Sequence, residues 1–135
     1  MANYYCSART NYFGVKDMEK FKEWANGLGL EVIGESVDTH GLVGLLPDTM
    51  IDTGFPDCRM SEEGEANEID FPAELAGHLL DGDVAIIMES GAEKLRYIAG
   101  SAVAINSKGE TAFINLEHIY EKAKALGTTI TRCEY

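Results

Sequence analysis

Two short stretches of the sequence contain residue types that occur in the catalytic sites of enzymes. Asp52-Thr53-Gly54 is the tripeptide of aspartic proteases, in which two such carboxylates must meet and share a proton. A chain of 135 residues could bring two of them together only as a dimer, and nothing downstream matches the rest of that fold. The expected structure at this tripeptide is therefore a turn after a short strand.

Ser36, Asp38 and His40 have the residue types of a nucleophile, an orienting acid and a base. Their spacing of two would place them side by side on one face of a strand, where they cannot converge as a catalytic triad requires. The segment is better explained as a polar turn over residues 38–41. Because the three histidines are dispersed, and no Cys-x-x-Cys, Walker or dinucleotide motif occurs, the sequence predicts a non-enzymatic protein without metal or cofactor.

The strongest anomaly of the sequence is its acidic middle. Residues 31–93 hold 16 Asp and Glu residues against one basic residue, Arg59, which gives this segment a net charge of −15. The rest of the chain carries +3, and the whole chain −12. Local salt bridges cannot neutralise such a segment, and like charges held together destabilise a folded state. We therefore expect either a basic partner or a need for strong solvation.

A fixed row of carboxylates would imitate the phosphates of duplex DNA, which carry about one charge per 1.7 Å of helix axis. The predicted partner is thus the basic surface of a nucleic-acid-binding protein, with no direct contact to nucleic acid. The apolar neighbours Phe55, Ile69 and Phe71 could anchor that contact, although core packing is their expected role. The predicted partner-binding residues lie in the densest acidic stretch: Asp57, Glu62, Glu63, Glu65, Glu68, Asp70 and Glu74.

Length and composition limit the class of protein. We expect one domain over residues 1–135, with an acidic loop and short helix at about 57–80. Apolar residues make up 45% of the chain, which separates it from disordered acidic tails. No apolar run of membrane length and no signal peptide are visible, and the three cysteines are widely spaced. These features predict a reduced, cytoplasmic protein, and they leave the oligomeric state open.

The elements that must position the acidic residues follow from hydrophobic periodicity and turn signals. Asp17, Asp70 and Asn115 mark the starts of three helices, predicted over about 17–28, 72–80 and 115–126. In the last helix, Leu116, Ile119, Tyr120, Ala123 and Leu126 form the stripe expected to face inward. Residues 61–67 are a loop by composition, and residues 90–93 and 106–109 are turns. Strands are predicted over residues 4–9, 31–37, 42–46, 84–88, 95–105, 111–114 and 128–133.

The predicted order is β-α-β-β-α-β-β-β-α-β. Strands joined by short turns favour a mainly antiparallel sheet of five to seven strands with three helices packed on it, the α+β class. Gly100 lies inside the strand predicted over residues 95–105 and indicates a bulge or a close backbone approach.

Two stretches resemble a group of small acidic proteins. They are residues 82–110 (GDVAIIMESGAEKLRYIAGSAVAINSKGE) and residues 11–17 (NYFGVKD), about a quarter of the chain. Proteins of this group are encoded on bacterial plasmids, integrative elements and phages and are largely uncharacterised. The resemblance implies a mobile-element setting and no site residues. Since mobile elements often encode inhibitors of host restriction or CRISPR systems, it favours an inhibitor of that kind.

Two functional hypotheses follow. In the first, the chain is an anti-CRISPR or anti-restriction inhibitor that binds a basic nucleic-acid-handling protein through a DNA-mimicking acidic surface. In the second, it is a protein-binding or immunity-type module of a mobile element, and the acidic segment is only a solvated face. The first predicts binding that is lost at high salt, and the second predicts salt-tolerant binding through a sheet edge or an apolar patch.

Overall fold

The computed structural model describes residues 4–47, 54–93 and 96–134. Three helices and eight strands lie in these ranges. Asp52 of the protease-like tripeptide falls outside them. The elements are β1 (Tyr4–Thr10), α1 (Met18–Gly27), β2 (Glu31–Gly34), β3 (Val43–Leu46), β4 (Cys58–Met60), β5 (Ala66–Glu68), α2 (Phe71–Ala76), β6 (Val84–Glu93), β7 (Tyr97–Asn106), β8 (Thr111–Asn115) and α3 (His118–Ala123).

The main sheet has four antiparallel strands in the order β1-β6-β7-β8. Two small antiparallel sheets, β2-β3 and β4-β5, hold the remaining described strands. The predicted α+β class and the mainly antiparallel pairing are therefore confirmed, and the strands divide over three sheets. The β4-β5 hairpin was not expected, because its polar composition predicts a loop.

Strand β6 is longer than predicted. Residues 90–93 were expected to form a turn because Ser90 and Gly91 are turn-forming residues, and that expectation is wrong. Ser90 lies opposite Ser7 of β1 on one side and opposite Gly100 of β7 on the other. Pairing with two neighbouring strands holds this segment extended against its local preference.

The hydrophobic core lies between one face of the main sheet and a layer formed by α1, α2 and β3. Its buried residues come from all of these elements. Asp17 caps α1 by accepting a hydrogen bond from the Lys20 amide, and Asp70 caps α2 by accepting one from the Ala73 amide. Helix α2 ends at Ala76, earlier than predicted, and Leu79 beyond it is still fully buried. The sheet contributes Ala85, Ile87 and Ile105, while the helices and β3 contribute Phe21, Ala25, Val43, Leu45, Phe71, Leu75 and Ala76.

Thr10, at the end of β1, connects the main sheet to the β2-β3 hairpin. Its buried hydroxyl accepts a hydrogen bond from the Leu45 amide at 2.8 Å and donates one to the Asn11 carbonyl at 2.9 Å. Phe13 and Val43 continue this junction as an antiparallel bridge. One hydroxyl thus satisfies two backbone groups at the junction of two sheets.

Replacing Thr10 with valine is expected to destabilise the protein by about 2–3 kcal/mol. The shape is preserved, but the Leu45 amide and the Asn11 carbonyl lose their partner in a buried site. Urea denaturation followed by circular dichroism measures the change. Thr111→Val, at an exposed position of β8, is the matched control and should stay within about 0.5 kcal/mol of the wild type. Equal effects of the two substitutions would contradict the role given to Thr10.

The C-terminal segment departs most from expectation. The stripe of α3 was predicted to face inward, but α3 has no buried residue, and Ile119 and Leu126 are 57% and 91% exposed. The Cys133 amide donates a hydrogen bond to the Tyr120 hydroxyl at 2.8 Å, and Glu134 forms a bridge with Tyr97. The last strand of the predicted order was expected over residues 128–133. In the described structure this part of the chain pairs with the main sheet only through the bridge between Glu134 and Tyr97. Periodicity predicted an apolar stripe over residues 115–126, but the helix is limited to His118–Ala123 and the described structure does not bury the stripe.

The face of the main sheet opposite the helices is uncovered in the described structure. Met88, Ile98 and Ile114, on three adjacent strands, are 56%, 62% and 66% exposed. Within the described part of the chain, no helix has the length and apolar character needed to cross a membrane.

Candidate partner-binding site

Most of the predicted partner-binding residues lie on one hairpin and its two flanks. We call residues 57–70 the acidic hairpin. Cys58 of β4 lies opposite Glu68 of β5, and the tip between the strands is residues 61–65. Ser61 organises this tip: its amide donates to the Glu65 carbonyl at 2.7 Å, and its hydroxyl accepts from the Glu65 amide at 3.0 Å. Gly64 has a φ of 82° there, a conformation that favours glycine.

The hairpin brings six of the seven predicted carboxylates onto one exposed element. Three of them are at the tip, one is on β5, and two flank the strands. All six residues are exposed, and within the described ranges none of their carboxylates forms an ion pair. The tip carries Glu62, Glu63 and Glu65, β5 carries Glu68, and the flanks carry Asp57 and Asp70.

The seventh residue, Glu74, is in a different environment. Its carboxylate on α2 accepts a hydrogen bond from the Trp24 indole at 2.8 Å and forms an ion pair with Arg59 at 2.5 Å. The indole hydrogen bond, assisted by Arg59 and opposed by partial burial, lowers the pKa of Glu74 below its ordinary range. Glu74 therefore pairs with the cation of the hairpin at the protein surface, and Arg59 does not neutralise the acids at the tip.

A groove of about 660 Å³ opens beside the acidic hairpin, between it and the main sheet. Phe55 and Phe71 stack along one wall with their ring centres 5.0 Å apart, and Phe71 stacks on Trp24 behind it at 5.5 Å. Ile87, Val103 and Phe113 of the sheet contribute further apolar surface. Four carboxylates border this surface, those of Asp57, Glu68, Asp70 and Glu89.

Sequence reasoning missed the groove, because its walls come from segments far apart in the chain. Phe55, Ile69 and Phe71 were expected to be core residues, and Phe71 is buried, but all three also line the groove. The one local signal was Glu89, a charged residue inside the apolar strand β6. Its carboxylate accepts a hydrogen bond from the Phe55 amide at 3.2 Å and so fixes the entrance of the groove.

The arrangement suits the binding of a cationic side chain. Apolar walls bordered by carboxylates can accept a lysine or arginine side chain, whose aliphatic stem packs while its charge stays near the acids. Among the described residues, no group of three His, Cys, Asp or Glu side chains is placed to hold a metal ion. Ser36, Asp38 and His40 lie in the β2-β3 connection, where Thr39 instead bonds the Ser36 backbone.

His78 lies under the aromatic wall of the groove. Its ring centre is 4.8 Å from that of Trp24 and 5.8 Å from that of Phe21. Burial among these rings lowers the pKa of His78, although the carboxylates of Glu74 and Asp17 act in the opposite direction. His78 is therefore neutral at pH 7 and stabilises the packing behind the groove as an uncharged ring.

Acidification below pH 7 is expected to destabilise the fold in two stages. The pKa of His78 is lowered from 6.5 and that of Glu74 from 4.5, so in each case the unfolded chain binds its proton first as the pH falls. Stability should therefore decrease below pH 6.5 and again below pH 4.5. Urea denaturation across a pH series measures both stages. His78→Phe should remove the first stage and leave the second, and an unchanged profile in that variant would contradict the assignment.

Comparisons with known proteins find no counterpart for this hairpin and groove. No family model matches the chain, and no curated protein and no solved structure matches it.

Proposed function

We infer that this chain is a non-enzymatic, cytoplasmic inhibitor of the anti-CRISPR or anti-restriction type, which binds a basic nucleic-acid-handling protein through the acidic hairpin. The observation that carries this inference is the exposure of six carboxylates on one folded hairpin, beside an apolar groove and without ion pairs to any other described residue. The resemblance to proteins of mobile elements supports the same setting. The free cysteines Cys58 and Cys133 are exposed, which fits a reducing compartment.

Electrostatics favours a basic partner over any other. The acidic middle has a net charge of −15, and its one cation, Arg59, is held by Glu74. A partner with a positive groove would be attracted over a Debye length of about 8 Å at physiological salt, and its association would be accelerated. A nucleic-acid enzyme offers such a groove because it must neutralise phosphates.

The groove adds specificity to this attraction. Charge alone would direct the hairpin to any basic surface. The stacked rings of Phe55 and Phe71 give an inserted arginine or lysine an apolar surface, and Asp57, Glu68 and Asp70 surround it with carboxylates. A partner must therefore present a cation at the correct distance from its own nucleic-acid groove.

Changing Glu62, Glu63, Glu65 and Glu68 together to glutamine is the direct test. The expected result is loss of inhibition of target DNA cleavage, by at least about 100-fold in the inhibitory constant, because four carboxylate contacts are removed. The assay uses purified CRISPR effector nucleases and restriction enzymes with plasmid targets. Wild-type binding to the inhibited enzyme should also disappear above a few hundred millimolar salt.

A matched control distinguishes the effect of where the removed charges lie from the effect of the total charge. Glu19, Glu23, Glu110 and Glu121 are exposed and lie outside the acidic middle, so their fourfold change to glutamine alters the net charge equally. This control should inhibit like the wild type. If no enzyme of either class is inhibited, or if the hairpin variant inhibits as well as the wild type at any salt concentration, the proposal is wrong. Salt-tolerant protein binding by the hairpin variant would instead favour the module without nucleic-acid mimicry.

A further inference from the structure

The uncovered face of the main sheet is apolar across three strands. Alternate residues of β6, β7 and β8 point to this face, as the pairing of Ala85 with Ile105 and of Ile87 with Val103 on the core side requires. On these three strands no charged residue of the described ranges occupies it, and on β1 the exposed Arg9 lies on the same face opposite Met88. We call it the apolar sheet face: Val84, Ile86, Met88, Ile98, Ala102, Ala104, Ile114 and, just beyond β8, Leu116.

The sequence of β6 is typical of a strand that is buried on both sides. A strand with one face in water alternates apolar and polar residues, whereas residues 84–88 are continuously apolar. Only Ala85 and Ile87 are buried by the rest of the chain, while Val84 and Met88 remain exposed. The residue pattern therefore predicts that a second layer covers the exposed face of β6. One copy of the described chain does not supply that layer.

Helix α3 extends this surface beyond the sheet. Leu116 passes close to Gly100 of β7, since a Cβ atom built on Gly100 would lie 3.1 Å from the Leu116 side chain. The bulge expected at Gly100 is absent, because the glycine pairs regularly with Ser90, and its close neighbour is the Leu116 side chain and not a backbone segment. Leu116 connects the sheet face to α3, where the Ile119 amide donates a hydrogen bond to the Leu116 carbonyl and the Ile119 side chain is exposed.

The chain exposes more surface than a compact monomer of its mass, and part of that surface lies on the acidic hairpin, away from the sheet face. The chain exposes 9306 Å², whereas the scaling of surface with mass gives about 6,900 Å² for a monomer of 14.7 kDa, an excess of about 2,400 Å². An obligate homodimer buries about 1,000–2,500 Å² on each subunit, in an interface that resembles a divided hydrophobic core. One further copy of this chain can thus cover the part of the excess that lies on the apolar sheet face.

Charge does not oppose a second copy on this face. The residues of the apolar sheet face are uncharged, and residues 94–135, which include β7 and β8, hold six basic and four acidic residues. Two copies can meet through the apolar sheet face without bringing their acidic hairpins together, because the hairpins lie on the helix side of the sheet. A basic partner, by contrast, is attracted to the hairpin and gains nothing electrostatically on this face.

We propose that the apolar sheet face is the interface of a two-fold symmetric homodimer. The two main sheets stack face to face at about 10 Å, and the α3 helices close the sides of the interface. Each subunit keeps its acidic hairpin and groove on the outer surface. The dimer therefore presents two copies of the partner-binding site, pointing away from each other.

Light scattering coupled to size-exclusion chromatography tests the proposal on the full chain. The wild type should have twice the monomer mass of 14.7 kDa at micromolar concentration. Met88→Glu combined with Ile98→Glu should yield a folded monomer, with a dimer dissociation constant raised by at least about 100-fold, because symmetry buries four carboxylates at once. Val37→Glu, at a position that is 92% exposed in the β2-β3 connection, is the control and should stay dimeric.

Two results would contradict the proposed homodimer interface. One is a wild type that remains monomeric over the whole concentration range, which would leave the face to a different protein. The other is a dimer that persists in the doubly substituted chain. Should that variant fail to fold, the oxidation of Met88 by peroxide in the wild type still decides the question. Peptide mass spectrometry should find Met88 protected at least tenfold relative to the urea-unfolded chain, whereas a rate close to the unfolded one would refute the dimer.

Discussion

Reversing the charge at the hairpin tip, with Glu62, Glu63 and Glu65 all changed to lysine, is expected to abolish inhibition of the basic partner. Attraction becomes repulsion at the point where the two surfaces first meet, and like charges across an interface cost several kcal/mol. We expect a loss in affinity of about 1,000-fold, which corresponds to about 4 kcal/mol. The fold should persist, because the three side chains are exposed and the tip is held by the hydroxyl and backbone of Ser61.

The control for this reversal changes the same number of charges elsewhere. Glu19 and Glu23 on α1 and Glu121 on α3 are exposed, so their change to lysine gives the same net charge. Affinity for the partner, measured by surface plasmon resonance, should fall less than about tenfold in the control, because distant surface charges are screened. A similar loss in both variants would mean that total charge, and not the hairpin, directs the binding.

Replacing Phe71 with alanine is expected to lower both the stability of the fold and the affinity for the partner. Phe71 is buried and stacks between Trp24 and Phe55, so its removal leaves a cavity and costs about 3–5 kcal/mol. The same substitution removes one wall of the groove. Urea denaturation should report the first effect, and the affinity for the partner, measured where the variant is folded, should fall by about tenfold or more.

Leu75→Ala separates these two effects. Leu75 is fully buried on the same helix but does not line the groove, and its truncation costs about 2–5 kcal/mol. This variant should lose stability like Phe71→Ala while its folded fraction keeps the affinity of the wild type. If both variants bind equally well, the groove has no part in partner binding.

Local chemistry made much of the fold predictable. The carboxylates of Asp17 and Asp70 cap the first two helices as expected, and Gly109 closes the turn after β7 with a φ of 82°. These features depend on neighbours within a few residues, so the sequence contains all the information that decides them. The acidic residues were also predictable as a set, because their segregation is visible in the composition.

The remaining features depend on residues distant in sequence. Ser90 and Gly91 have turn preferences, but pairing with β1 and β7 keeps them in a strand. The hairpin at residues 58–68 has both strands largely in solvent, so it lacks the apolar alternation that identifies strands. The groove joins Phe71 to Phe113 across the sheet, and Glu74 finds Trp24 fifty positions away, which no local pattern encodes.

The position of Trp24 has a practical consequence, because it is the single tryptophan of the chain. Its indole touches Glu74, stacks on the groove wall at Phe71 and lies beside His78. Intrinsic fluorescence therefore comes from one probe placed behind the groove. A partner side chain entering the groove, or a proton added to His78, changes the surroundings of that probe. The protein thus carries its own unlabelled optical sensor for titrating a partner and for following the effect of pH.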